Sequence, residues 1–197
     1  MKKLICLLLL TSNLLLAQRN IAILHTEKHA FPAAAAMPDS FSEAAFEIAG
    51  GLLVVRASLN GDTGDFILDT GAPGIVLNAQ FDEAPNVLKA AGIGGEMQIG
   101  TVEVKNFEWG IIRKESVQGF VLDISHLESA CGRDIMGLIG FDVLENHELL
   151  IDYRNRKIRV FGAGERVPEG NLRAVKSIPF TLHGHVPVIS AKIGGKR

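Results

Sequence analysis

The stretch that most limits how this chain can fold is FILDTGAPGIVLN, residues 66–78. Phe66, Ile67 and Leu68 run without a polar break into Asp69-Thr70-Gly71, and Ile75, Val76 and Leu77 resume the apolar run after a short turn. Short apolar runs bounded by turn residues read as strands buried on both faces. An unpaired carboxylate inside such a layer is costly. The chain must therefore bring Asp69 out at the end of one strand, on a turn tight enough to call for Gly71, before the next strand begins. A carboxylate presented in that way raises the question of what it faces.

The residues around this stretch continue in the same style. LLVVRASLNG alternates, with Leu53, Val55, Ala57 and Leu59 on one face and Arg56 and Ser58 on the other, before a turn through Asn60-Gly61. EMQIGTVEVKNFEWGIIR and VQGFVLDI are further strand-like runs broken by glycine. SHLESAC predicts a short helix from Ser125 stopped by Gly132, and FDVLENH predicts another. ELLIDYRNRKIRVF reads as a hairpin turning on Arg154-Asn155-Arg156. Many short strands and glycines predict an all-β, mostly-β fold with one or two short helices, closed as a barrel.

Composition narrows the function classes. With 47% hydrophobic and 21% charged residues the chain is globular, and a net charge of -2 with no long basic run argues against a nucleic-acid partner. The opening MKKLICLLLLTSNLLLA has two lysines and then an apolar run too short and interrupted to span a bilayer. It reads as a signal peptide over residues 1–17, so the mature protein is expected to be exported, periplasmic or extracellular, without a stable membrane anchor. Cys6 lies too early for a lipid-bearing cysteine, and Cys131 alone cannot form an internal disulfide; it reads as a small thiol at a helix end. His25 and His29 lack the Glu of a zinc-protease motif, and His183 and His185 have no evident co-ligands, so no metal is expected. No nucleotide-binding glycine pattern or serine-hydrolase elbow is present, and no cofactor is expected.

A second element gives the D-T-G triplet its context. IMGLIGFDVL, residues 135–144, sets Leu138 and Ile139 between Gly137 and Gly140 and then opens a helix. Together with FILDTGAPGIVLN and LLIDYRNRKIRVF, in that order, it makes the chain resemble the retropepsin-like aspartic proteases, in the form found in exported bacterial proteins. The resemblance covers roughly residues 46–161 and implies an acid-protease lobe. It implies that Asp69 is catalytic, that Thr70 ties two active-site loops together with Gly71 shaping the turn, and that Gly137, Leu138, Ile139 and Gly140 pack beneath, with Ala72 beside them. It also implies a glycine-rich flap, for which Gly92, Gly94 and Gly95 in AAGIGGEM are the candidates.

That chemistry needs a pair of carboxylates. Two carboxyl groups about 3 Å apart cannot both ionise, so they share a proton, one form acting as base on water and the other as acid toward the amide carbonyl. The expected function is thus an aspartic endopeptidase acting on a peptide or protein substrate. A hydroxyl residue in place of Ala72 would stabilise an ionised carboxylate; without it, any activity is expected at mildly rather than strongly acidic pH.

The tail suggests where a second carboxylate could come from. FEIAGGLLVVRASLNG, residues 46–61, aligns without a gap on FTLHGHVPVISAKIGG, residues 180–195, at a constant offset of 134. Phe46 meets Phe180, Gly50 meets Gly184, Ala57 meets Ala191 and Gly61 meets Gly195. On this reading the equivalent of Asp69 falls at 69 + 134 = 203, beyond Arg197. The expected organisation is a signal peptide at 1–17, a leader or linker at 18–42, a protease lobe at 43–162, a linker at 163–176, and the opening strands of a second lobe at 177–197. A homodimer is the alternative source of the second carboxylate. Two rival readings stand beside the enzyme: a non-catalytic peptide-binding or oligomerisation module, and an inert fragment. Among the other acids, Asp142 is expected to cap or support its helix, Asp152 to bond within its turn, and Asp62 and Asp65 to be turn residues.

Overall fold

The computed structural model describes residues 21–25, 41–80, 86–92, 95–162, 165, 175–192 and 194. The expected signal peptide, most of the leader, Gly94 and most of the 163–176 linker lie outside the described residues. In chain order the strands are β1 (Ile21–His25), β2 (Phe41–Ala49), β3 (Leu52–Leu59), β4 (Asp62–Leu68), β5 (Val76–Asn78), β6 (Asn86–Gly92), β7 (Gly95–Trp109) and β8 (Ile112–Leu122). Helix α1 (Ser125–Cys131), β9 (Gly137–Ile139), α2 (Phe141–Leu144), β10 (Glu148–Asp152) and β11 (Lys157–Phe161) follow. Last come β12 (Val175–Pro179), β13 (Thr181–His183) and β14 (Val186–Val188). The mostly-β expectation with two short helices holds.

Ten strands form one sheet in the order β10-β11-β2-β3-β4-β9-β5-β8-β7-β6, and a further pairing of β3 with β7 closes six of them, β3-β4-β9-β5-β8-β7, into a barrel. Closure removes the exposed strand edges that an open sheet would leave. Most neighbours are antiparallel hairpins, but β9 runs parallel to β4 and is wedged between β4 and β5. Those two strands adjoin in sequence and not in space, so the loop joining them must cross the end of β9. That loop is Asp69 to Ile75.

Local sequence sets the hairpins. Asn60 (φ 53°) and Gly61 (φ 91°) both take left-handed backbone in the two-residue turn between β3 and β4, which is why Asn-Gly is so effective there. Because the turn closes in two residues, Asp62 and Asp65 belong to β4 and are not turn residues as expected. Asp65 instead accepts ion pairs from Arg56 across the strand (3.4 Å) and from Arg133 (3.2 Å). Helix α1 ends as expected at Gly132 (φ 67°), whose N–H donates to Glu128 O at 2.7 Å. The predicted β10–β11 hairpin is present, with Asp152 accepting from the N–H groups of Arg154 and Asn155 at 3.1 and 3.0 Å.

Strands β5 and β9 bury both faces, as do Val54-Val55 of β3 and Phe66-Ile67 of β4, and there the sequence runs apolar without a break, whereas β8 alternates buried and exposed residues. The larger core takes Val55, Ala57, Phe66, Ile75, Leu77, Phe107, Trp109 and Ile139, with Val143 and Leu144 of α2. A smaller core uses the intervening residues Val54, Ile67, Val76 and Leu138, closed by Ile124 and Ile135 on either side of α1. Phe66 and Phe107 meet edge to face, centroids 5.7 Å apart.

Beyond the ten-stranded sheet, β1 pairs with β12 and β13 pairs with β14, each as a separate two-stranded sheet. The register of β13–β14 reproduces part of β2–β3. Adding 134 to both members of Glu47↔Val54, Ile48↔Leu53 and Ala49↔Leu52 gives Thr181↔Val188, Leu182↔Pro187 and His183↔Val186, the three rungs of the later hairpin. The turn glycines correspond as well, Gly50 at φ 57° and Gly184 at φ 63°.

Candidate active site

Asp69 follows the last residue of β4, and its backbone N–H donates to Ile139 O at 3.0 Å. The chain therefore stays registered on β9 up to Asp69 and departs after it. The turn then closes on itself: Ala72 N–H donates to Asp69 O (3.2 Å), and Gly71 N–H donates to the Asp69 carboxylate at Oδ1 (2.8 Å). Asp69 is half-buried, while Thr70 and Gly71 are exposed. Ala72 turns inward and is buried in the smaller core beside Ile135 and Leu138, an environment in which a hydroxyl would need a partner.

The return half of the loop rests on the start of α2. Phe141 N–H donates to Ala72 O at 2.9 Å, and Asp142 N–H donates to Pro73 O at 3.1 Å. Unpaired amides at the first turn of a helix are thus used to hold loop carbonyls. The approach is so close that Gly140 has no room for a side chain: a Cβ there would sit 2.7 Å from Ala72 O and nearer still to Gly74 O. Gly137 is confined in the same way by Val76 O and by Phe66, 3.2 Å from a Cβ position. Leu138 and Ile139 point to opposite sides, into the smaller and the larger core. The segment from Gly137 to Gly140 thus packs against the strands flanking the D-T-G loop at Gly137 and against the loop itself at Gly140, and each glycine marks a close backbone approach.

Three residues of this arrangement escaped the sequence reading. Asn78 is buried at 2% exposure; its side-chain amide donates to Ile135 O (3.1 Å) and its backbone N–H to Met136 O (2.9 Å), fixing the end of β5 to the entry of β9. Its one signal was a polar residue closing an apolar run. Gly74 packs against the carboxyl group of Asp142, and Asp142, expected to serve its own helix, contacts the loop as well. Nothing local distinguishes either from an ordinary turn glycine or first-turn acid.

Charge around Asp142 is sparse. Burial, its largest influence, pushes the Asp142 carboxyl above the usual carboxylate range; Lys114 opposes this and Glu145 adds to it. Oδ1 is buried with no hydrogen-bond partner. Lys114, on β8, donates from Nζ to the backbone O of Asp142 at 3.2 Å. His147, just past α2, is held below its ordinary value, first by burial and then by Lys114.

The flap candidates lie at the end of the β6–β7 hairpin, where Gly92 and Gly95 form the last rung; Gly94 is outside the described residues. Cys131 is half-buried, its Sγ 3.7 Å from Ala49 O, and burial pushes its thiol up, the opposite of what a nucleophile needs. Among the described residues no second carboxylate is hydrogen-bonded to Asp69, no group of three or more His, Cys, Asp or Glu is placed to hold a metal ion, and no helix is long and apolar enough to cross a membrane.

Residues 55–143, from β3 through the D-T-G loop to α2, match the family model described as aspartyl protease. Among solved structures, a retropepsin-like aspartic protease from Rickettsia conorii aligns with TM-score 0.42 and 16% identity, over 74% of this chain and 96% of that one. The comparison with curated proteins gave no match.

Proposed function

We propose that the protein is an aspartic endopeptidase in which Asp69 supplies one of the two carboxylates that activate water. The observation that carries this reading is the Asp69 loop itself. Its carboxylate is oriented by the Gly71 N–H at 2.8 Å while the turn around it is exposed, an arrangement suited to meeting a second copy of the same loop. The paired carboxylates share one proton; the ionised one removes a proton from water and the protonated one donates to the carbonyl oxygen as the tetrahedral intermediate forms. Thr70, beside the dyad, would bond across to the opposing loop. The β6–β7 hairpin tip with Gly92, Gly94 and Gly95 would cover a bound peptide.

The second carboxylate comes from a further lobe in cis or from a second copy of the chain. The shared register of β2–β3 and β13–β14, offset by 134, supports an internal repeat and hence the first source. Export through residues 1–17 belongs to the same proposal, and N-terminal sequencing of secreted protein should then begin at Gln18.

Replacing Asp69 by Asn tests the reading. Cleavage of an unstructured protein substrate should be lost while peptide binding persists, because the amide keeps the shape of the carboxyl and cannot act as base. Unchanged turnover would remove Asp69 from the mechanism. One other reading is a peptide-binding module without catalysis. It would show binding that Asp69→Asn leaves intact and no cleavage in either form.

A further inference from the structure

The Asp69 loop is held on its incoming side by Ile139 and within itself by Gly71, but its return side, Pro73-Gly74, has a different support. Gly74 is buried, and its φ is not in the left-handed region. Space, and not backbone conformation, excludes a side chain there. A Cβ on Gly74 would meet Asp142 and nothing nearer: Oδ2 at 2.5 Å, Cγ at 2.7 Å and Oδ1 at 2.8 Å. The adjoining carbonyl, Pro73 O, accepts the backbone N–H of the same Asp142 at 3.1 Å. Asp142 thus touches the loop twice, through its main chain at Pro73 and its carboxyl at Gly74. On its far side, Lys114 of β8 donates to the Asp142 carbonyl at 3.2 Å. The residue is clamped between a barrel strand and the loop.

A small apolar residue would fill this position without the burial cost that Asp142 carries. Its Oδ1 is buried and unpartnered, an arrangement that costs stability. Something other than stability of α2 must therefore favour a planar, rigid group of this length.

We propose that Asp142 is a positioning residue for Asp69: its carboxyl group is the stop against which Gly74 rests, and so it sets where the return half of the loop lies and how the Gly71 N–H meets the Asp69 carboxylate. This rests on the protease reading for its kinetic consequence and on the loop geometry alone for its structural one. A displacement well under 1 Å at a reacting carboxylate is enough to lower turnover on the order of tenfold or more. Substrate contacts made away from the reacting carboxylate would be little changed.

Four variants of the full chain test it: Gly74→Ala, Asp142→Ala, the double variant, and Asp142→Asn. Each is read by peptidase kinetics, by thermal unfolding, and by amide hydrogen exchange at Gly71 and Ala72. Gly74→Ala should lower kcat about tenfold or more with KM nearly unchanged and speed exchange at Gly71. Asp142→Ala should do the same to a smaller degree. Adding Asp142→Ala to Gly74→Ala should recover much of the loss, since the obstruction is gone, and Asp142→Asn, of equal shape, should keep kcat and exchange close to the parent. A double variant no better than Gly74→Ala, or an Asp142→Ala protein with a lower Tm but unaltered kcat and Gly71 exchange, would overturn the proposal. Should the parent protein cleave nothing, the protease reading fails, yet the exchange measurements still decide whether Asp142 sets the loop.

Discussion

At the scale of single residues, the site is governed by where a side chain is and is not allowed. Gly137→Ala would drive a methyl group into Val76 O and to within 3.2 Å of the Phe66 ring, and neither a strand carbonyl nor a buried ring can yield cheaply. We expect a loss of about 1–3 kcal/mol, the usual cost of overpacking a core, measurable as a lower urea midpoint at unchanged m-value. Asp142 gives a pH-dependent expectation. Burial raises its folded-state pKa above the unfolded one, so the folded protein holds this proton more tightly and stability declines as pH rises through the folded pKa. The charged neighbours that act on it are Lys114 and Glu145. Asp142→Asn removes the ionisation, so it should raise Tm at neutral pH and bring no gain at pH values below the normal carboxylate range. Thermal scans of both proteins across that interval give the answer; an Asn variant less stable at neutral pH would show that the Lys114 attraction outweighs burial.

At the scale of elements, the hairpin β10–β11 shows how a short turn anchors the sheet to which the site is attached. Asp152 accepts from Arg154 N, Asn155 N and the Asn155 side chain (2.7 Å), while Arg156 takes the left-handed conformation at φ 57° and lies over the Phe46 ring at 5.9 Å. Strand β11 then carries Lys157 and Arg159, both paired with Glu43 of β2. Replacing Asp152 by Ala should cost about 1 kcal/mol, since the turn amides stay open to water and lose only the net value of their bonds. Proton exchange of the Asn155 amide should accelerate while the barrel strands stay protected. The Glu43 carboxyl is held below its usual range, chiefly by Lys157; its contribution to the β2–β11 pairing is present at neutral pH and fades as pH falls through that lowered value.

For the whole molecule, the question is which strands belong to the barrel unit. The ten-stranded sheet ends with β11 at Phe161, and β12, β13 and β14 pair with β1 or with each other, not with it. Val186, Val188 and Ile189 remain exposed at 41%, 39% and 53%, more apolar surface than a small hairpin usually offers to water. Deleting residues 171–197 should leave the unfolding temperature of the barrel within a degree or two of the parent, where 1 kcal/mol would shift it by roughly 2–8 °C in domains of about 60–250 residues, and should reduce self-association in sedimentation. Unfolding of the remainder would instead place those strands in the first unit.

Much of this was legible before any coordinates. Asp69 at a strand end, Gly71 in its turn, the hairpin at Arg154-Asn155-Arg156 and the short helix stopped by Gly132 follow from local rules, apolar periodicity, turn residues and capping, while the G-L-I-G strand was implied by the family resemblance. Asp65 did not, because a carboxylate four residues past a turn looks like turn chemistry until Arg133, far along the chain, is brought to it. Gly74, Asn78 and Asp142 did not either. Their roles exist only because β9 enters the sheet between two strands adjacent in sequence, which forces the D-T-G loop to cross it and sets Gly74 against Asp142. Sequence alone determined which residue types could turn, bury or carry charge, since those are properties of a few neighbouring residues. Only the tertiary structure decided which residues support the loop, since support comes from whatever a parallel strand crossing delivers from some seventy positions away.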